Sequence, residues 1–281
     1  MRYISFIIIL SLIFAVIPVR ALSSDNDELD TLWETYGLNL GIFISDLNTS
    51  FRVGSGIGLD VDAEKLLGLD STNSVFRIGG LWRFSDNKRH RLDFSWFAFH
   101  RSGSKSITQD IQIEKRDGNT IIIPADTDVD SFFDIDIYQG AYSYSFLQDD
   151  RIDLAAIFGI YVMPIDFGIK ASGFVSEEGQ QDFIAPLPTV GLRLDIALAP
   201  KWFLRSGTQV FYLEYEQYKG SLLTFYGAIE YKPWKHIGFG LGLDSFKIRA
   251  EADGEDYPLI DFRGNIEFDY FGVQFYTRLF F

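Results

Sequence analysis

The chain ends Y-F-G-V-Q-F-Y-T-R-L-F-F, and the side chains of this stretch sort by parity. Phe271, Val273, Phe275, Thr277, Leu279 and Phe281 make one nearly apolar set, while Tyr270, Gly272, Gln274, Tyr276 and Arg278 make a small, polar or amphipathic one. A period of two predicts a β-strand with unlike faces, because successive side chains point to opposite sides. The alternation recurs along the chain, broken by short polar turns at 85–90, 148–151, 198–201 and 231–236. Aromatic residues flank these turns: Trp82 and Phe84, Tyr144 and Phe146, Trp202, and Trp234. Longer polar connections fall between them at 57–72, 114–119, 173–182, 217–220 and 252–262.

Alternating short and long connections predict ten antiparallel strands, the first near 36–56 and the last at 262–281. Eight is the alternative, if the first strand or the hairpin around Lys219 is misread. The paired segments 90–114 and 119–146 are long enough to project as a two-stranded ribbon, and 62–67 suits a single helical turn. The fourth strand changes parity: Phe133, Ile135 and Ile137 are apolar on odd numbers, Tyr142, Tyr144 and Phe146 on even ones. A β-bulge near Gln139 and Gly140 would account for the change.

The N-terminus adds a compartment. Arg2 precedes an apolar run over 4–19, and Val19 and Ala21 supply small residues at the −3 and −1 positions of a cleavage site. That layout predicts a secretory signal peptide over 1–21 and a mature domain over 22–281. No later segment approaches the ~18 consecutive apolar residues of a spanning helix. Yet the chain is 47% hydrophobic and 16% aromatic, with 27 Phe and 14 Tyr. A formal charge of −14 argues against nucleic acid as a partner. The absence of cysteine excludes disulfides, thiolate metal sites and cysteine nucleophiles.

The aromatic terminal strand ending on Phe281 resembles the C-terminal recognition signal of bacterial outer-membrane barrels, and the aromatic-edged hairpins resemble small members of that group. The resemblance implies one all-β transmembrane barrel with an even strand number, short periplasmic turns and longer extracellular loops. It also implies an outer-membrane location, assembly by the barrel assembly machinery with Phe281 as the signal, and contact with outer-membrane lipids and lipopolysaccharide. A monomer without cofactor or bound metal is expected.

In such a barrel a charge on the lipid face costs about 2–4 kcal/mol near the midplane. Parity then turns Arg77, Arg83, Asp93, Asp153, Arg193, Asp195, Arg205, Glu230 and Arg278 into the lumen. Charges of both signs in a narrow lumen predict a packed ion-pair network that plugs it, since small barrels fill with side chains; a selective pore is the alternative. Gly238, Gly240 and Gly242 leave room on the inner face that arginines are expected to take.

Few residues point to catalysis. His90 and His236 fall in turns and read as solvated. His100 and Ser102 share a face with Leu92, Phe94 and Trp96, at the outer rim toward lipid, and their spacing resembles the histidine–serine pair of outer-membrane lipid A deacylases. A hydroxyl nucleophile needs such a base, but no orienting carboxylate is evident and two residues make a weak motif. Asp126, Asp128 and Asp130 match the start of a calcium loop, but Ser131 and Ile137 stand where its glycine and glutamate belong. The sequence therefore favours a structural or surface-interaction barrel over a lipid-modifying enzyme or a narrow solute channel.

Overall fold

The computed structural model describes residues 34–53, 61–108, 110–114, 120–171, 181–215, 218–252 and 264–281. The expected signal peptide and parts of the longer connections lie outside the described residues. The elements are β1 (Tyr36–Val53), β2 (Val61–Asp62), α1 (Ala63–Leu67), β3 (Thr72–Arg83), β4 (His90–Ser106), β5 (Ile111–Glu114), β6 (Thr120–Ile123), β7 (Asp128–Gln148), β8 (Ile152–Ala171), β9 (Gln181–Ala199), β10 (Trp202–Tyr215), β11 (Tyr218–Tyr231), β12 (Ile237–Ala252) and β13 (Gly264–Phe280).

Ten of these strands form a closed antiparallel barrel in the order β1-β3-β4-β7-β8-β9-β10-β11-β12-β13, with β13 paired back onto β1. The seam runs in continuous register from Gly37↔Phe280 to Val53↔Gly264. Phe281 locks its lower end: its carbonyl accepts from the N–H groups of Thr35 and Tyr36 at 2.7 and 3.0 Å, and its own N–H donates to the Tyr36 carbonyl at 2.9 Å. Closure leaves no strand edge in the barrel, which a sheet crossing a bilayer requires.

The interior changes character along the barrel axis. Toward the short turns it holds charged side chains, among them Arg83, Asp153, Arg193, Glu230 and Arg278, all nearly inaccessible. Toward the longer connections it holds an apolar core around Phe43, Phe99, Phe133, Ile135, Phe246 and Phe268. The outer surface changes in the opposite sense. Level with the charged interior it carries exposed apolar side chains such as Trp82, Phe94, Phe158, Val190, Leu241 and Phe275. Further up, outward positions hold Asp128, Asp130, Lys170, Arg249 and Glu251. An apolar belt around an entire barrel needs a non-aqueous surrounding. The lower half is thus built for lipid outside and polarity inside, and the upper half for water outside and an apolar core inside.

This inversion corrects the expected bulge at Gln139 and Gly140. The register between β4 and β7 is unbroken from His90↔Tyr144 to Ser106↔Asp128. The one irregularity of β7 against β8 lies between Ser145 and Leu147. Odd positions face inward throughout, from Phe133 and Ile137 to Ser143 and Ser145, while Tyr138, Tyr144 and Phe146 stand exposed on the outside. The backbone keeps its phase; it is the solvent on each side that is exchanged.

The strands differ in height. β7 and β8 have 21 and 20 residues, β10 and β11 14 each. At about 3.3 Å per residue the wall is roughly 20 Å taller, measured along the strand, on the β7–β8 side. The expected ribbon is present in two pieces. β4 and β7 pair up to Ser106↔Asp128, and β5 and β6 form a separate hairpin beyond. Where the pieces meet, Ile107 and the last residue of β6, Ile123, are buried in the apolar core.

Helix α1 is the expected helical turn. The Asp62 carboxylate caps it by accepting from the Lys65 N–H at 2.9 Å, and Gly68 ends it in the left-handed region at φ 74°. Ala63, Leu66 and Leu67 are buried in the core, so the helix sits in the barrel mouth. Gly103 makes this seating possible, because a Cβ there would lie 2.5 Å from the Gly68 carbonyl oxygen.

Candidate functional site

Four acidic groups organise the lower lumen. Glu34 precedes the first strand; its carboxylate accepts from Arg205 Nη2 at 2.9 Å, from Arg278 Nη2, and from Lys232 Nζ at 3.3 Å. Asp195 on β9 meets Arg205 Nη1 at 2.8 Å, Arg91 Nη1 at 3.4 Å and Arg193. Asp153 on β8 meets Arg83 Nη2 at 2.9 Å and Arg193 Nη1 at 3.0 Å. Glu230 on β11 accepts from Arg205 Nε at 3.1 Å, Arg278 Nη1 at 3.1 Å and the Tyr276 hydroxyl at 2.8 Å. Arg91, Arg193, Arg205 and Arg278 each span two or more acids, so the pairs fuse into one network across β3, β4, β8, β9, β10, β11 and β13. Guanidinium suits this use, with five donors in a rigid plane.

Higher up, Arg77 pairs with Asp244 at 2.6 Å, and Tyr270 donates to the same carboxylate at 3.1 Å. The Arg77 guanidinium also lies 4.7 Å from the centre of the Phe97 ring, where the charged layer gives way to the aromatic one. Between these groups remains a cavity of about 150 Å³, lined by Arg77, Asp93, Gln139, Arg193, Gln209 and Tyr226 among others. It is large enough to hold water. Asp195 Oδ1, Arg193 Nε and Arg278 Nε are buried without a protein partner, and hydration is the ordinary way to satisfy such atoms.

The upper seal has a polar pin of its own. Arg101, buried on β4, donates to Glu64 Oε1 of α1 at 2.6 Å, to the Asp70 carbonyl at 3.3 Å and to the Thr49 hydroxyl. The second Glu64 oxygen accepts from the Thr49 N–H at 3.0 Å. The guanidinium also lies 5.1 Å from the centre of the Phe133 ring. Burial makes this ion pair directional, since removing either partner leaves a charge the core cannot solvate.

All nine charges turned inward by parity occur in these contacts: Arg77, Arg83, Asp93, Asp153, Arg193, Asp195, Arg205, Glu230 and Arg278, with Asp93 paired to Arg91. Reasoning from sequence missed Glu34, Arg91, Asp244, Arg101 and Glu64. Arg91 has the parity of Asp93 and Asp244 that of Gly242, so two of the five were within reach. The inner glycines are filled differently from expectation. A Cβ on Gly240 would fall 2.1 Å from Tyr276 Cζ, and one on Gly242 3.0 Å from Gln274 Nε2. Tyr276 is directly opposite Gly240 on one side and Gly41 on the other. A cross-strand ring covers a glycine more cheaply than an arginine already committed to two carboxylates.

His100 and Ser102 both face outward, opposite Asp134 and Phe132 in register. Asp134 is in turn opposite Asp166. Their surroundings are therefore acidic, above the apolar belt, and not the lipid surface expected for them. Among the described residues no side-chain hydrogen bond joins His100 to Ser102 or Asp134. Asp128 and Asp130 accept from the Ser106 and Ser104 hydroxyls across the β4–β7 ladder. The turn histidines are not merely solvated. His90 Nδ1 lies 2.7 Å from the Tyr142 hydroxyl within a group of rings, and His236 stacks on Phe281 at 4.8 Å.

No family model matches this chain, and no curated protein does. Among solved structures, the outer-membrane protease OmpT from Escherichia coli is similar with a TM-score of 0.54 and 11% identity, covering 94% of this chain and 100% of that one. OprG from Pseudomonas aeruginosa, an outer-membrane protein, gives a TM-score of 0.34 at 10% identity, over 90% of this chain and 99% of that one. Ail of Yersinia pestis, an attachment invasion locus protein, gives 0.32 at 8%, over 86% and 98%. The first likeness shows the fold. With its closed wall and apolar belt, the chain has the architecture of an outer-membrane β-barrel.

Proposed function

We propose that the protein is a non-conducting outer-membrane barrel, with a structural or surface-interaction role carried by its tall extracellular wall. The observation behind this is the double filling of the lumen. A fused ion-pair network occupies the lower half, a packed apolar core the upper half, and α1 is pinned into the mouth by Arg101 and Glu64. A hydrated path would have to break both layers. The surface offered for interaction is the outward face of β4, β7 and β8 above the belt, with Asp128, Asp130, Asp134 and Asp136. Purified protein in planar bilayers should show no steady conductance. Large, stable, voltage-independent channels would overturn the plug and bring forward a narrow solute channel.

One observation favours a second reading, a lipid-modifying enzyme at the outer rim. Asp134 stands opposite His100 in register, a position from which a carboxylate could orient the imidazole toward Ser102. Mass spectrometry of lipid A from cells with and without the protein separates the readings: loss of an acyl chain only when the protein is present would favour the enzyme.

A further inference from the structure

Two adjacent rows of outward side chains on the lower wall define a hollow. The upper row runs Leu38, Gly80, Phe94, Gly140, Ile160 across β1, β3, β4, β7 and β8. The lower row runs Tyr36, Trp82, Leu92, Tyr142, Phe158 across the same strands. Two glycines flank Phe94, and its ring can cover only one of them. It lies over Gly80, where a Cβ would come within 2.4 Å of Phe94 Cε1. Gly140 stays bare: a Cβ there would meet only Ile160 Cγ2, at 3.9 Å. The result is an outward groove of about 970 Å³ centred on these rows.

We infer that this groove binds one acyl chain of a phospholipid from the periplasmic leaflet, with the phosphate at the β3–β4 turn. The belt places the groove in hydrocarbon, and a hollow in a packed wall forfeits dispersion contacts unless something fills it. A flexible methylene chain is the filler that a bilayer supplies. The walls are ordered in advance. Trp82 stacks on Tyr36 with centroids 6.4 Å apart, Phe94 is seated on Gly80, and the Tyr142 hydroxyl is tied to His90 Nδ1 at 2.7 Å. A chain lying there orders few protein groups as it binds, which favours a resident lipid over passing ones. The groove's lower end sits by the short turn that carries Lys88 and Arg89 beside His90. Cations at that level complement a phosphodiester. The short turns mark the periplasmic side, so the lipid is a phospholipid of that leaflet and not lipopolysaccharide.

The test uses the full-length folded protein in vesicles of phosphatidylethanolamine and phosphatidylglycerol carrying a trace of phosphatidylglycerol with a diazirine in its acyl chain. After illumination, labelling should be severalfold higher on peptides carrying Phe94, Tyr142 and Ile160 than on those carrying Val210 and Leu241 from the far wall. In Gly140→Phe the added ring occupies the hollow, and labelling of those peptides should fall to the far-wall level while heat-modifiable mobility is kept. Gly140→Val, a smaller filler, should give a partial fall and serves if the first variant does not fold. Excess unlabelled phosphatidylglycerol should displace the label and excess lipopolysaccharide should not. Uniform labelling around the belt, unchanged labelling in both folded variants, or displacement by lipopolysaccharide would each overturn the assignment.

Discussion

Arg205 Nη2 donates to Glu34 Oε1 at 2.9 Å, joining β10 to a residue that precedes β1. Glu34 also receives Arg278 and Lys232, so one carboxylate at the start of the barrel neutralises cations from its final third. Replacing it leaves three buried cations short of a partner. Glu34→Ala should destabilise the folded barrel by about 3–5 kcal/mol, the usual consequence of breaking a buried ion pair. Glu34→Gln, which keeps an acceptor, should cost less. Urea unfolding in detergent micelles measures both, and wild-type stability in Glu34→Ala would show that the network has other means of balance.

Phe281 joins the barrel ends through three backbone hydrogen bonds, and its ring stacks on His236. Phe281→Asp puts a charge at this exposed position and removes the aromatic end of the strand. The fraction of folded, heat-modifiable protein in outer membranes should drop, as should that of a chain lacking Phe281. Normal folded levels of both would argue against Phe281 as the assembly signal.

His100 and Ser102 face outward among aspartates with no hydrogen bond between them. His100→Ala and Ser102→Ala should leave folding and lipid A composition unchanged. If a lipid-modifying activity disappears in both variants while the barrel stays folded, the enzyme becomes the better reading.

The Asp149 carboxyl, in the β7–β8 turn, is held below its ordinary value by the N–H groups of Arg151 and Ile152, which donate to it at 2.8 Å each. A lowered folded-state value favours the carboxylate in the folded protein. Its stabilisation is present above the unfolded pKa and is lost as pH falls through the lower, folded one. Asp149→Asn should therefore lose less stability than wild type on acidification. Equal acid sensitivity in urea titrations would contradict the assigned cause.

Period-two alternation was enough to read the strands and the inward charges, because a two-faced strand writes its environment into every second residue, and the alternation of short and long connections carried the count of ten. Inference failed where that rule has no purchase. Glu34 sits before the first strand and carries no phase. Arg101 and Glu64 belong to the upper half, where inside and outside exchange polarity, so a buried ion pair there breaks the local pattern. The same exchange made β7 look bulged, since the apolar set moved from odd to even numbers while the backbone kept its register. Tyr276 over Gly240 follows from cross-strand register, which one strand read alone does not contain.

The placement of Glu34 has a consequence for how the barrel forms. Its cations arrive with β10, with the turn after β11, and with β13, so the carboxylate cannot be matched while the sheet is an open ribbon. Neighbouring strands can already pair Arg205 with Asp195 and Glu230, and Arg193 with Asp153, before the seam exists. The pairs that cross the lumen, Glu34 with Arg205 and Arg278, Arg83 with Asp153, and Arg91 with Asp195, need the closed wall. An open sheet that has all its strands but not its seam has most of the hydrogen bonds and lacks these crossing pairs. That gives closure a steep, late gain, and makes a half-zipped barrel a poorly populated species.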